Sequence, residues 1–195
     1  MRKVVAVELV SLDGVMEAPE EWAFPYSNDE MEAANAKGMA GSDALLLGRV
    51  TYEQMAAFWP GQPGGTPMVD YINSVQKLVV STSLEEVGWN NSALIKDDVA
   101  EEIAGLKQQS GKDITIIGSA ILVRSLLEAD LLDELRIMVH PVVLGGGKRL
   151  FEDGGEQEIL ELVSSETFGT GVVSLVYGRR AKGALEGRNA QADRV

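Results

Sequence analysis

Short apolar runs recur along this chain, four of them closing on a glycine or a hydroxyl residue, with stretches of helical spacing between them. Val4 to Val10 reads as a buried first strand, and Ala44 to Leu47 as a second that stops at Gly48. Lys77 to Val80, Ala93 to Ile95, Ile114 to Ile117 and Leu135 to Val139 follow, the fifth running straight into Gly118-Ser119. Between them, Ser27-Asn28-Asp29-Glu30 has the spacing of a capping box and predicts a helix to about Ala40, closed by Gly41. A second helix is expected from about Thr51 to Phe58, ahead of Pro60. Asp97 or Asp98 would cap another, with Val99, Ile103 and Leu106 on one face and Gly111 at its end. Ile121, Leu122 and Leu126 mark a helix directly after Gly118-Ser119. Ser11 to Tyr26 and Gly61 to Pro67 read as loops, and Glu158 to Phe168 with Val172 to Arg180 as a closing hairpin. Strands with little polar alternation, separated by helices, predict an α/β fold: a mainly parallel sheet covered on both faces, with an antiparallel hairpin at one side. The expectation is one domain over residues 1–180, and a polar, frayed tail over 181–195 without periodicity.

Residue usage removes whole classes of chemistry. The 195 residues include no cysteine and one histidine, His140. Thiolate metal sites and cysteine nucleophiles are excluded, and multi-histidine metal sites cannot form within one chain. No metal is expected. The net charge of −13 argues against nucleic acid and anionic membranes as partners. No apolar run approaches the roughly 20 residues of a spanning helix, so a soluble, cytoplasmic protein is expected.

In parallel sheets, ligands collect beyond the carboxyl ends of the strands. Three such junctions stand out. At Gly48-Arg49-Val50-Thr51, glycine lets a ligand approach the backbone and arginine beside a helix start suits an anion. The plainer reading is a turn, a surface arginine and a cap. Ser81-Thr82-Ser83 could bind phosphate or ribose, or form a hydroxyl-capped turn. Gly118-Ser119-Ala120-Ile121 leads from strand to helix through small residues, which suits a pyrophosphate or close packing, without the full G-x-G-x-x-G spacing. Gly145-Gly146-Gly147-Lys148-Arg149 reads as a phosphate clamp or a connection. His140, Trp59 and Trp89 read as structural.

In this order, a strand ending in Gly-Arg-x-Thr, one ending in Ser-Thr and one ending in Ile-Gly resemble the dihydrofolate reductase fold. Ser11-Leu12-Asp13-Gly14, Ile117 to Ala120, Asp133-Glu134-Leu135 and Pro141-Val142-Val143-Leu144-Gly145 resemble the reductase domain of riboflavin biosynthesis, in its small stand-alone form. The resemblance spans residues 1 to 180 and implies a dihydrofolate reductase-like three-layer sandwich with NADPH across the strand ends. It implies Gly48, Arg49 and Thr51 around the 2′-phosphate and pyrophosphate, and Ser81 and Thr82 around the adenosine phosphate. Gly118, Ser119, Ala120 and Ile121 would lie under the pyrophosphate; Ala6, Leu12, Asp13 and Gly14 would wall the nicotinamide. A homodimer is the common assembly of such relatives.

Reducing a C=N bond also needs a proton. Dihydrofolate reductases carry a carboxylate two residues after W-x-x-P; here Trp22-Ala23-Phe24-Pro25 is followed at that spacing by Ser27. Asp13 is the stronger polar candidate and Asp29 the second. The leading expectation is an NADPH-dependent reductase of a small heterocycle, pterin- or aminopyrimidine-like, or of a carbonyl compound. The alternative is a nucleotide-binding or regulatory module of the same fold without turnover.

Overall fold

The computed structural model describes residues 1–179; the expected tail and Arg180 lie outside the described residues. The strands are β1 (Val4–Ser11), β2 (Ser42–Gly48), β3 (Gln76–Val80), β4 (Ser92–Ile95), β5 (Asp113–Ile117), β6 (Glu134–His140), β7 (Leu160–Thr167) and β8 (Val173–Arg179). The helices are α1 (Pro19–Trp22), α2 (Asp29–Ala40), α3 (Arg49–Phe58), α4 (Pro67–Ser74), α5 (Val99–Gln108) and α6 (Ala120–Glu128). All eight strands join one sheet in the order β4-β3-β2-β5-β1-β6-β8-β7. The first six are parallel, and β8 and β7 add antiparallel at one edge. This is the expected mixed α/β architecture.

Strand order fixes where a crevice opens. From β2 the chain proceeds through α3 and α4 to β3 on one side; from β5 it proceeds through α6, and β6 lies on the other. β2 and β5 are neighbours, with Leu46 opposite Ile116, so their continuations diverge at adjacent carboxyl ends. That is a topological switch point, the place where open α/β sheets bind ligands.

Alternation along the strands builds two separate layers of core. Val4, Ala6 and Val10 of β1 share a face with Leu46, Leu78, Ile114 and Ile116, packed on Ile103 of α5 and Leu122, Val123 and Leu126 of α6. On the opposite face Leu45, Leu47 and Val79 meet Tyr52 of α3, Ile72 of α4 and Trp89. A third cluster, Met31, Met138, Phe168 and Val172, lies under α2. Between the latter two clusters Val7, Leu9, Thr115 and Ile117 stay half-buried and leave a strip of sheet partly uncovered.

Several local expectations change. Asn28, not Ser27, caps α2: its side chain accepts from the Met31 amide at 3.0 Å. Glu30 therefore does not close a capping box but accepts from the Gly169 amide at 2.6 Å, tying α2 to the β7–β8 turn. Asp98 starts α5 in a left-handed conformation without a side-chain cap, and that helix stops at Gln108 before Gly111. The loop expected up to Pro67 instead opens α4, with Thr66 as cap and Pro67 at a first-turn position where its missing N–H costs nothing. Lys77 is fully buried. Its ammonium donates to the Asn73 and Asn90 carbonyls at 3.0 Å each and lies 4.3 Å from the Trp89 ring centre, and burial pushes its pKa down to about 8. Trp89 is core, as expected.

Candidate active site

The switch point is built by two strand ends that interlock. Gly48 closes β2 and is the N-cap of α3; Gly118 follows β5, and Ser119 is the N-cap of α6. A Cβ on Gly48 would lie 2.8 Å from Ser119 Cβ and closer still to its Oγ. A Cβ on Gly118 would lie 3.1 Å from Thr51 Oγ1. Each glycine thus makes room for a hydroxyl residue of the other junction. Gly118 and Ser119 have φ of 68° and 66°, two consecutive left-handed residues. Glycine adopts that geometry freely and serine only under constraint. Ser119 keeps the turn, and its Oγ accepts from the Leu122 amide at 3.4 Å.

Charge at these helix starts is distinctive. The first turns of α1, α2, α4 and α5 all carry acidic residues, whereas those of α3 and α6 carry none. Gly48 supplies no side-chain acceptor, so the first amides of α3 lack a capping group. Free amides and the positive end of a helix dipole favour an anion. In a chain of net charge −13, the two α-helix starts without carboxylates among the described residues are the two that meet at the crevice.

Arg49 opens α3 beside this point and pairs with Glu53, one turn on, at 2.9 Å; both are well exposed. Ser81 is buried, and its oxygen accepts from the amides of Ser83 and Leu84, forming the hydroxyl-capped turn. Thr82 is exposed, as are Ile121 and Leu12. Ala120 is half-buried at the start of α6. Ala6 does not reach the crevice: it is sealed in the core on the α5–α6 face, while Val7 and Leu9 occupy the open face.

The two candidate carboxylates occupy different settings. Asp13 accepts from Ser11 Oγ at 2.7 Å, the Leu144 amide at 3.1 Å and the Gly145 amide at 2.9 Å. These bonds, the Ser11 hydroxyl foremost, hold its pKa down to about 2. Asp13 is ionised at neutral pH and holds no proton to donate. It clamps the loop after Gly14, where φ is 82°, to the loop after β6. The cations of that second loop are also engaged: Lys148 pairs with Glu17 at 3.5 Å, and Arg149 donates to the Asp13 carbonyl at 3.0 Å. Asp29 is exposed in the first turn of α2.

One buried group was read as structural, and a second escaped the sequence reading. His140 is fully buried at the end of β6, edge-on to Trp22 and Tyr26 at 5.2 and 5.7 Å. Carbonyls of Met138 and Val10 beside Nδ1, at 3.0 and 3.3 Å, require the proton there, and burial lowers its pKa. It fastens the α1 segment over the ends of β1 and β6. Glu8, in the middle of β1, is 2% exposed, and burial raises its pKa to about 8. Its one visible signal was a carboxylate inside a valine-rich strand.

The family model of the RibD C-terminal domain matches residues 2–174. The chain belongs to the RibD C-terminal domain family. Two curated Bacillus subtilis relatives of this RibD-type chain are uncharacterized proteins. YyaP is 30% identical over 182 residues, covering 90% of this chain and 94% of YyaP. YwjB is 32% identical over 175 residues, covering 88% and 95%. Solved structures share the fold. A putative riboflavin biosynthesis protein from Shewanella sp. PV-4 matches 93% of this chain and 100% of its own at TM-score 0.73 and 23% identity. A pyrimidine reductase-like protein from Corynebacterium diphtheriae gives 0.66 at 12% identity, each chain covered to 93%. The Enterococcus faecalis dihydrofolate reductase, solved with NADP(H), gives 0.63 at 17% identity, covering 92% of this chain and 97% of its own. The expected dihydrofolate reductase-like fold is therefore shown. Among the described residues no helix is long and apolar enough to cross a membrane.

Proposed function

We propose that this RibD-type domain is an NADPH-dependent reductase of a small heterocyclic or carbonyl substrate. The observation that carries the reading is the meeting of two carboxylate-free helix starts at the switch point, over interlocked glycines. The bound cofactor would supply the hydride. The chain's own contribution is orientation and charge. The α3 and α6 amides suit the pyrophosphate, and Gly48 and Gly118 let it reach the backbone. Thr51 and Ser119 flank it. Arg49 suits the 2′-phosphate. The half-buried strip of Val7, Leu9, Thr115 and Ile117 is an apolar wall for flat rings. The family and the NADP(H)-bound fold relative support this reading.

Arg49 gives the test. Its exposed pair with Glu53 is worth about 0.3–0.5 kcal/mol, whereas a charge-assisted contact to phosphate is worth about 1.5–3 kcal/mol. Exchange of one partner for the other is therefore downhill. Arg49→Ala should weaken NADPH by roughly 5- to 100-fold and NADH, which lacks the phosphate, far less. Calorimetric titration of both cofactors into parent and variant decides. Equal losses would assign Arg49 to the shared pyrophosphate, and no NADPH binding by the parent would overturn the reductase reading. A second reading, nucleotide binding without turnover, is favoured by the ionised state of Asp13 and the exposure of Asp29. Tight NADPH binding without oxidation across pterin, pyrimidine and quinone panels would select it.

A further inference from the structure

The first turn of α3 has no side-chain cap, since its N-cap is Gly48. Two adjacent residues pin it from two sides. Thr51 lies against Gly118, which follows β5, close enough that a Cβ there would come within 3.1 Å of the threonine hydroxyl. Tyr52, 5% exposed, turns to the other side, where its hydroxyl accepts from the buried Trp89 amide at 3.0 Å. Trp89 leads into β4, which lies two strands from β2 in the sheet, on the side away from β5. The turn that holds Trp89 is fastened to α4 and β3. The Trp89 indole donates to Asn73 Oδ1 at 3.3 Å, and Asn91 Nδ2 donates to the Ser74 carbonyl at 2.9 Å. From β3, the Lys77 ammonium joins the Asn73 and Asn90 carbonyls and lies against the Trp89 ring. Asn73 Nδ2 in turn donates to the carbonyl of Trp59, the C-cap of α3, at 3.0 Å. One network therefore holds α3 at both ends.

The tyrosine hydroxyl has a specific task in it. Phenylalanine would fill the same place in the cluster with Leu45, Leu47 and Ile72. What phenylalanine cannot do is accept a hydrogen bond. The Trp89 amide lies outside the strands, with the Tyr52 oxygen as its acceptor. A buried amide left without an acceptor is costly, so the bond resists being broken. Packing alone does not close the seam between helix and turn. A groove of about 590 Å³ opens there, lined by Ala56, Pro60, Gly88 and Asn90 beside the two aromatic residues. The hydroxyl is the point at which turn and helix join.

We propose that Tyr52 is a positioning residue for the crevice: its hydroxyl, by holding the Trp89 amide, fixes the uncapped first turn of α3 from the β3–β4 side while Thr51 fixes it from the β5 side, and so aims the first amides of α3 at the switch point. The inference rests on the reading of that helix start as part of the pyrophosphate site. Tyr52 touches no ligand and acts through the helix backbone. A side-chain cap would hold the same turn by occupying its free amides. Anchoring it from behind leaves those amides open to an anion.

The experiment compares parent, Tyr52→Phe and Ile72→Val. Phenylalanine keeps the ring and removes one oxygen. Ile72→Val is the control: Ile72 is 3% exposed in the same cluster, on α4, and an apolar side chain makes no hydrogen bond. Calorimetric titration of NADPH and NADH should show both affinities falling in Tyr52→Phe, about 3- to 10-fold and in equal proportion, because both cofactors present the same pyrophosphate to α3. This differs from Arg49→Ala, whose loss falls on NADPH. Ile72→Val should lower stability and leave both affinities at the parent values. Independently of any cofactor, the Val50 and Thr51 amide resonances should shift in Tyr52→Phe and not in Ile72→Val. Hydrogen exchange of the Glu53 amide, which helix geometry bonds back to the first turn, should quicken in the same variant alone. A Tyr52→Phe variant equal to the parent in both affinities and in Glu53 exchange overturns the proposal. So does an equal loss of affinity in Ile72→Val, which would reduce the effect to general loosening, and so does a loss confined to NADPH. Absence of NADPH binding in the parent, with Glu53 exchange still quickened in Tyr52→Phe, overturns the cofactor reading and leaves Tyr52 as the anchor of α3.

Discussion

Gly48 and Ser119 share a space that only one of them can fill. The gap between Ser119 Cβ and the Cβ that Gly48 lacks is 2.8 Å, too short for any real pair of carbons. The φ of Gly48 is −76°, so space rather than conformation demands glycine there. Gly48→Ala should destabilise by about 1–3 kcal/mol, the usual cost of overpacking. Ser119→Gly removes the obstructing side chain and a left-handed serine; the lost cap costs only a few tenths of a kcal/mol on replacement by glycine. On its own it should be neutral or stabilising. In the double variant it should restore most of what Gly48→Ala loses. Denaturant unfolding of the four proteins reads the coupling, about 0.5–3 kcal/mol for residues in contact. Additive effects would show that the two strand ends do not meet. The glycines of both junctions were legible in the sequence because each ends an apolar run. The interlock was not, since nothing in either stretch says which strand lies beside which. Glu8 was hidden for a different reason: one acid among valines does not break a strand pattern.

At the scale of elements, Asp13 joins two loops that meet at the end of β1. Its carboxylate takes two amides of the loop after β6, and the Val15–Arg149 bridge continues the seam. Asp13→Asn should leave global stability little changed but, with a single acceptor oxygen left for the two, free one of the Leu144 and Gly145 amides, so hydrogen exchange in this pair should quicken. Asp29→Asn should not affect them. The sign with pH follows from a folded pKa of about 2 against the ordinary 3.8. The clamp is fully present above pH 4 and is lost as the pH falls through 2. Exchange at those amides that is equally slow in Asp13→Asn and the parent would remove Asp13 from this role. The Ser-Leu-Asp-Gly motif was readable, but whether its acid faces a ligand or a loop depends on residues some 130 positions away. Helix starts were misread on local grounds. Ser27 and Asn28 are both good caps, and the approach of the β7–β8 turn settles the choice by taking Glu30 for the Gly169 amide. Helix α4 was missed because Pro67 after a glycine-rich stretch reads as more loop, although proline suits a first turn.

The whole molecule carries −13, yet its proposed ligand is a polyanion. Two fields compete at different ranges. Two carboxylate-free helix starts and Arg49 attract over a few ångströms, while the net charge repels over the Debye length. A chain of this length has a radius of gyration of about 16 Å. The Debye length is about 30 Å at 0.01 M salt, longer than that radius, and about 8 Å at 0.15 M, shorter than it. Added salt in this range therefore erases the repulsion that an approaching dinucleotide meets, before it weakens the contacts made after arrival. The association rate of NADPH should rise severalfold from 0.01 to 0.15 M salt, with a smaller rise in dissociation, so affinity should increase. A basic cofactor cleft would do the reverse. Arg49→Ala should leave this salt dependence of association nearly intact, since it changes one charge in a total of thirteen, while raising the dissociation rate. Stopped-flow fluorescence of NADPH at several salt concentrations, on parent and variant, separates the two fields. An association rate that falls with salt in the parent would mean that the local positive ends of α3 and α6 govern the encounter as well as the bound state.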